Sequence, residues 1–210
     1  MFSARKLELM PNGIFNSFIK PEMDEAKAIA LGLAPVTDEV LKLTHMTREQ
    51  LNEAPTLDVV WLNFLKWLEQ FSNSSTNHWD KPIFCGYNII KYDSKIIERI
   101  AKKHGPWDDE YNEPKVFHPT IVFDLMVEVF KYTENMKINS NNSISMDSIR
   151  KWLNIDDKMS HMSIKDVLDG GFLMRKFINF TRYASKDLID WENCFEKENK
   201  EIADIMRKYV

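Results

Sequence analysis

Cysteine is nearly absent from this chain of 210 residues: Cys85 and Cys194 stand alone, with no Cys-x-x-Cys pair. A cysteine-built zinc site is thereby excluded, and the scarcity fits an intracellular, reducing compartment, read here as cytoplasmic. Long apolar runs are missing too. The best, Val59 to Leu68, is broken by Asn63 and Lys66, well short of the ~18 residues a membrane span needs, so no membrane partner is expected. The opening Met-Phe-Ser-Ala-Arg-Lys has no apolar segment behind its positive charges, and no secretory signal is expected. Charge of one sign is not in excess: 28 Lys+Arg face 32 Asp+Glu, for a net charge of −4. That balance argues against nonspecific coating of nucleic acid and leaves room only for a local basic rim. With 44% hydrophobic and 29% charged residues, the rest is an ordinary globular composition rather than a disordered, collagen-like or rod-like one.

What is present reads as helices alternating with short strands. Residues 4–10 and 14–20 flank Pro11-Asn12-Gly13, a hairpin signal, with Pro21 ending the second strand. Thr47-Arg48-Glu49-Gln50 matches a capping box. After Pro55-Thr56, the apolar positions Leu57, Val60, Trp61, Phe64, Leu65 and Leu68 follow the spacing of a helix laid on a sheet. Ile83 to Tyr87 predicts a buried strand, and Ile96, Ile97, Ile100 and Ala101 a helix that Gly105 ends. Thr120 to Phe123 predicts another buried strand, with a helix from Asp124 to about residue 132. Met146, Ile149 and Leu153 mark a short helix, and a longer one runs over about 163–180. Residues 181–210 form a charged, helical C-terminal extension to a domain over 1–180. A hairpin followed by alternating helix and strand implies an α/β layer fold with a partly parallel sheet.

Two segments carry chemistry. Gly86-Tyr87-Asn88-Ile89-Ile90-Lys91-Tyr92-Asp93 leaves a strand and delivers a carboxylate near a helix start, where ligand sites of α/β sheets lie. Local pattern also reads Asp93 as a helix N-cap and Asn88 as a turn residue. In Ser160-His161-Met162-Ser163-Ile164-Lys165-Asp166, a cap at Ser163 places Asp166 in the first helical turn, where the helix dipole favours the ionised form. His161 stands on the lead-in. A carboxylate that binds Mg²⁺ and an imidazole that deprotonates water are a workable pair; an exposed loop His and a capping Asp are the plainer alternative.

Together the segments resemble the second and third motifs of the DnaQ-like (DEDDh) 3′–5′ exonucleases, of the ribonuclease H-like superfamily. Gly86-Tyr87-Asn88 with Tyr92-Asp93 matches the family's Gly-His/Tyr-Asn and Phe/Tyr-Asp, at a spacing one residue longer than in many members. His161 and Asp166 match its final His-x₄-Asp. Met162 stands where the tyrosine-type subfamily has Tyr, which favours the histidine type. Phe18 to Pro21, Leu43 to Thr47 with Ala54-Pro55, Phe123-Asp124-Leu125 and Ser143 to Met146 fall where similar family elements are expected. The resemblance covers about residues 2–180.

The resemblance implies a ribonuclease H-like mixed sheet flanked by helices, and hydrolysis of the 3′ end of single-stranded DNA or RNA with two Mg²⁺ or Mn²⁺ ions. Asp93 and Asp166 would be metal ligands, His161 the base that activates water, and Tyr87 and Asn88 substrate contacts. The family's first motif, Asp-x-Glu on a central strand, has no counterpart ahead of Met1-Phe2-Ser3, and Glu8 does not replace it. Either a missing N-terminal segment or companion polypeptide supplies that motif, or the chain is an inactive nucleic-acid-binding or protein-interaction relative. Lys91, Lys95, Arg99, Lys102 and Lys103 could touch phosphates or form a solvated helix face. Gly170-Gly171 inside a helix points to close packing. His45, His78, His104 and His118 show no ligand spacing.

Overall fold

A computed structural model describes residues 1–3, 8–72, 81–118, 121–135, 143–155 and 163–188. The chain divides into two compact units, Met1–Met174 and Arg175–Val210. It is mixed α/β and mostly helical.

The N-terminus is a short antiparallel pair, β1 (Phe2–Ser3) against β2 (Glu8–Leu9). The turn at Pro11-Asn12-Gly13 forms and closes back on Met1; of the first expected strand, over 4–10, Glu8–Leu9 is strand and residues 4–7 lie outside the described residues. Met10 N–H donates to the Met1 carbonyl at 3.0 Å and Gly13 N–H to the Met10 carbonyl at 2.8 Å. A Cβ at Gly13 would lie 2.6 and 2.7 Å from those two carbonyl oxygens, so only glycine fits. Residues 14–20 form no strand; Phe15 instead packs its ring on Phe64 and Trp67, with centroids 5.4 and 5.7 Å apart, and Lys20 N–H donates to the Pro55 carbonyl at 2.9 Å.

Residues 22–53 fold into α1 (Glu25–Ala30), α2 (Asp38–Thr44) and α3 (Arg48–Glu53), capped by Asp24, Thr37 and Thr47. The capping box is complete: Gln50 N–H reaches the Thr47 hydroxyl, and the Gln50 side chain accepts from Thr47 N–H. The long amphipathic α4 (Leu57–Glu69) follows, burying Val60, Trp61 and Leu68.

The parallel element is β3 (Phe84–Gly86) beside β6 (Val122–Asp124), paired Phe84 to Val122 and Gly86 to Asp124. The crossover carries α5 (Asp93–His104), ended by Gly105 at φ 74°, and a hairpin of β4 (Trp107–Asp108) and β5 (Glu113–Pro114). That hairpin escapes the sequence pattern because its strands are only two residues long. The strand expected over 83–87 is shorter and only partly buried, Ile83 being exposed. The strand expected over 120–123 is shifted: it starts at Val122, leaving Ile121 exposed, and runs on to Asp124, while Thr120 lies outside the described residues. Helices α6 (Leu125–Asn135), α7 (Met146–Trp152) and α8 (Ser163–Leu188) complete the order.

Trp61, Leu68, Ala101 and Phe117 form the main buried cluster, joining α4 to α5. Trp61 Nε1–H donates to the Gly105 carbonyl at 2.6 Å, and Trp67 Nε1–H to the Asn12 carbonyl at 2.8 Å. These bonds let two indoles pack against apolar neighbours without leaving a donor unmet. Among the described residues, three two-stranded pairs are present and no larger sheet. No described helix is long and apolar enough to cross a membrane.

Candidate functional site

The parallel pair ends at Gly86 and Asp124, and the chain turns sharply after each. Asn88 adopts a left-handed backbone at φ 57°, a conformation Asn tolerates better than most residues. The turn is held from β6. Asp124, buried, accepts Asn88 N–H at 3.0 Å and Met126 N–H at 3.0 Å on Oδ1, and Ile90 N–H at 3.3 Å on Oδ2. One carboxylate thus fixes both the loop after β3 and the first turn of α6. Ionised acceptors make the stronger kind of hydrogen bond.

The loop opens onto a cleft of about 940 Å³. It is lined by Tyr87, Asn88, Tyr92, Asp93 and Ile96, by Ile144, Met146, Asp147 and Arg150, and by Asp166 and Gly170 of α8. Tyr87 spans it, its hydroxyl donating to the Ile144 carbonyl. Burial, with a smaller push from the Asp124 charge, raises the Tyr87 phenol to about 12, so it stays a neutral donor. The same two causes raise the Cys85 thiol to about 12. A second cleft, of about 320 Å³ beside α4, is lined chiefly by apolar side chains such as Leu57, Trp61 and Phe64 and offers no comparable chemistry.

Sequence reasoning named five site residues. Asp93, Asp166, Tyr87 and Asn88 line the same cleft; His161 lies outside the described residues. Asp93 is not the cap of α5: Tyr92 holds that position, and Asp93 is the exposed first helical residue. Asp166 stands in the first turn of α8, as expected, although Ser163 is the first residue of that helix rather than its cap.

Arg150, Asp147 and Asp124 were missed. Among the described residues Arg150 is the largest fully buried side chain, and its three nitrogens take three carboxylates. Nε donates to Asp169 at 2.9 Å, Nη1 to Asp147 at 3.0 Å, and Nη2 to Asp166. Lys165 adds a 2.5 Å bond to Asp169. Burial opposes the Arg150 charge, but the hydrogen bonds from Asp169 and Asp166 outweigh it, and the guanidinium is held above its ordinary pKa. A signal existed: Arg150 follows Met146 by four residues, on the apolar side of α7.

Asp93 and Asp166, the pair that the resemblance names as metal ligands, are both among the cleft's lining residues. Mg²⁺ is commonly held by one or two carboxylates with water and phosphate oxygens completing its shell, which Asp93 and Asp166 can provide. Two-metal sites hold their ions ~3.5–4 Å apart and need more negative charge than this. Among the described residues, no group of three or more His, Cys, Asp or Glu is arranged to hold a metal ion. Compared with protein-family models, with curated proteins and with solved structures, the chain matches none.

Proposed function

We propose that the chain carries a metal-dependent 3′–5′ exonuclease domain of the DnaQ-like, ribonuclease H-like kind, acting on the 3′ end of single-stranded DNA or RNA. One observation carries this reading: Asp93 and Asp166, far apart in sequence, line one cleft beside Tyr87 and Asn88, just past the carboxyl ends of a parallel strand pair. A bound divalent cation would supply charge neutralisation at the phosphodiester and a more acidic water. Asp93 and Asp166 bind and orient it. Tyr87 and Tyr92 offer ring faces on which a terminal base can stack. His161 takes the proton from the attacking water, a role that rests on the His-x₄-Asp spacing alone. A second ion calls for further carboxylates, which the family's Asp-x-Glu, on another segment or polypeptide, would bring.

A second reading is favoured by the Arg150–Asp166 ion pair, which already gives one ligand carboxylate a cation. In it, the domain binds nucleic acid or a protein without cleaving anything.

A 3′-labelled single-stranded oligonucleotide incubated with the full chain and Mn²⁺ separates the two. The first reading expects stepwise shortening from the 3′ end, reduced at least ~10²-fold by D93N, D166N or H161A. Strand binding that weakens with salt and yields no product supports the second. Hydrolysis that survives both aspartate substitutions removes this cleft from the reaction.

A further inference from the structure

A buried arginine held by three carboxylates is a costly way to join two helices. Apolar side chains of similar volume commonly do so at equal or better stability. The arrangement is specific in shape as well as charge. The Arg150 side chain is 2% exposed and Asp169, its Nε partner, 7%; together they fix the guanidinium plane. Asp147, one turn earlier on α7, takes Nη1 at 3.0 Å. Only Nη2 is directed at Asp166, whose side chain is 41% exposed and lines the cleft. The buried Asp169 holds the fork from within; Asp147, 52% exposed, and Asp166 both line the cleft, and of these two the cation reading uses only Asp166. A lysine ammonium, a point charge on a flexible stem, cannot reproduce that geometry.

We propose that Arg150 is a positioning residue: anchored by Asp169 and Asp147, its guanidinium holds the Asp166 carboxylate in the orientation at which a divalent cation is bound. The proposal rests on the reading of Asp93 and Asp166 as cation ligands. A half-exposed aspartate left to itself samples several rotamers, and a ligand fixed from behind loses less freedom on binding. Partners of this kind commonly set metal affinity by ten- to a hundredfold.

The test uses Mn²⁺ alone as probe, with the full chain and free Mn²⁺ read by electron paramagnetic resonance. Wild type binds, and D93N and D166N each lose binding; if wild type binds no Mn²⁺, or if neither substitution matters, the cation reading falls and takes the positioning role with it. With that reading intact, R150K weakens Mn²⁺ binding ~10–100-fold at unchanged circular dichroism. Unchanged or tighter binding in a folded R150K overturns the proposal and leaves the cation reading standing. Because R150K removes the Nε bond to the buried Asp169 and leaves that carboxylate to Lys165 alone, the double variant R150M/D169N is measured beside it; it removes the buried pair together and is expected to show the same loss. If neither variant folds, bound Mn²⁺ must still broaden the Arg150 guanidinium resonances of the wild-type chain. Sharp, unshifted Arg150 signals at saturating Mn²⁺ overturn the proposal.

Discussion

Asp124 organises more of the cleft than either residue the motifs single out. Two of its three accepted amide bonds hold the loop that ends at Asp93 and the third holds the start of α6, yet Asp124 itself does not line the cleft. Removing it strands three amides, and hydrogen bonds to charged groups are worth ~1.5–3 kcal/mol each. D124A is therefore expected to cost about 3 kcal/mol or more of stability, measured by urea denaturation, and to weaken Mn²⁺ binding through Asp93 without touching a ligand. This residue was half legible. Its place after an apolar strand and before a helix could be read from Phe123-Asp124-Leu125, but the amides it serves lie 34 and 36 positions earlier. Arg150 was harder still, because two of its three partners, Asp166 and Asp169, come from a helix 16 and 19 positions onward. Spacing along one helix exposes Asp147–Arg150 as a three-residue pair and says nothing of the rest.

Helices were the most legible elements, because their apolar period and caps are local. The capping box at Thr47, the apolar face of α4 and the Gly105 terminus all form where the residues place them. Strands of two or three residues were not, since what defines them is a partner elsewhere in the chain. The Pro11-Asn12-Gly13 turn shows the difference: its local geometry was readable, but the partner, Met1, was not. Gly170 of α8 also needs a different account from close packing. Among the described residues, a Cβ there would meet Leu125 Cδ1 at 3.5 Å, an ordinary contact. G170A should therefore gain up to ~1 kcal/mol of helix propensity, read as a higher melting temperature. A lower one would mean that this part of α8 needs glycine for another reason.

At the scale of the whole molecule, the parallel pair and its crossover bring α5 and α8 onto one cleft, and stability and site share the same buried groups. Cys85 and Tyr87 both keep their protons to about pH 12 in the folded chain, chiefly through burial, while an unfolded thiol and phenol lose theirs near 8.5 and 10. Above pH 9 the unfolded chain therefore binds fewer protons than the folded one, and stability falls as pH rises from about 9 toward 12. Denaturation midpoints across that range should decline, and Y87F should remove part of the slope above pH 10. The α/β class follows from the order of elements along the chain, whereas the grouping of Asp93 with Asp166 is what the family resemblance implies. The ribonuclease H-like sheet remains an inference from motif order, because among the described residues each strand has a single neighbour.

The shared acceptor at the end of β6 has a kinetic corollary. Asn88, Ile90 and Met126 donate to the same carboxylate, so no one of these amides can be released by a local fraying that leaves the other two undisturbed. Their deuterium uptake should follow one common opening rate, and a single proton resonance would then report how often the floor beneath the reactive groups comes apart.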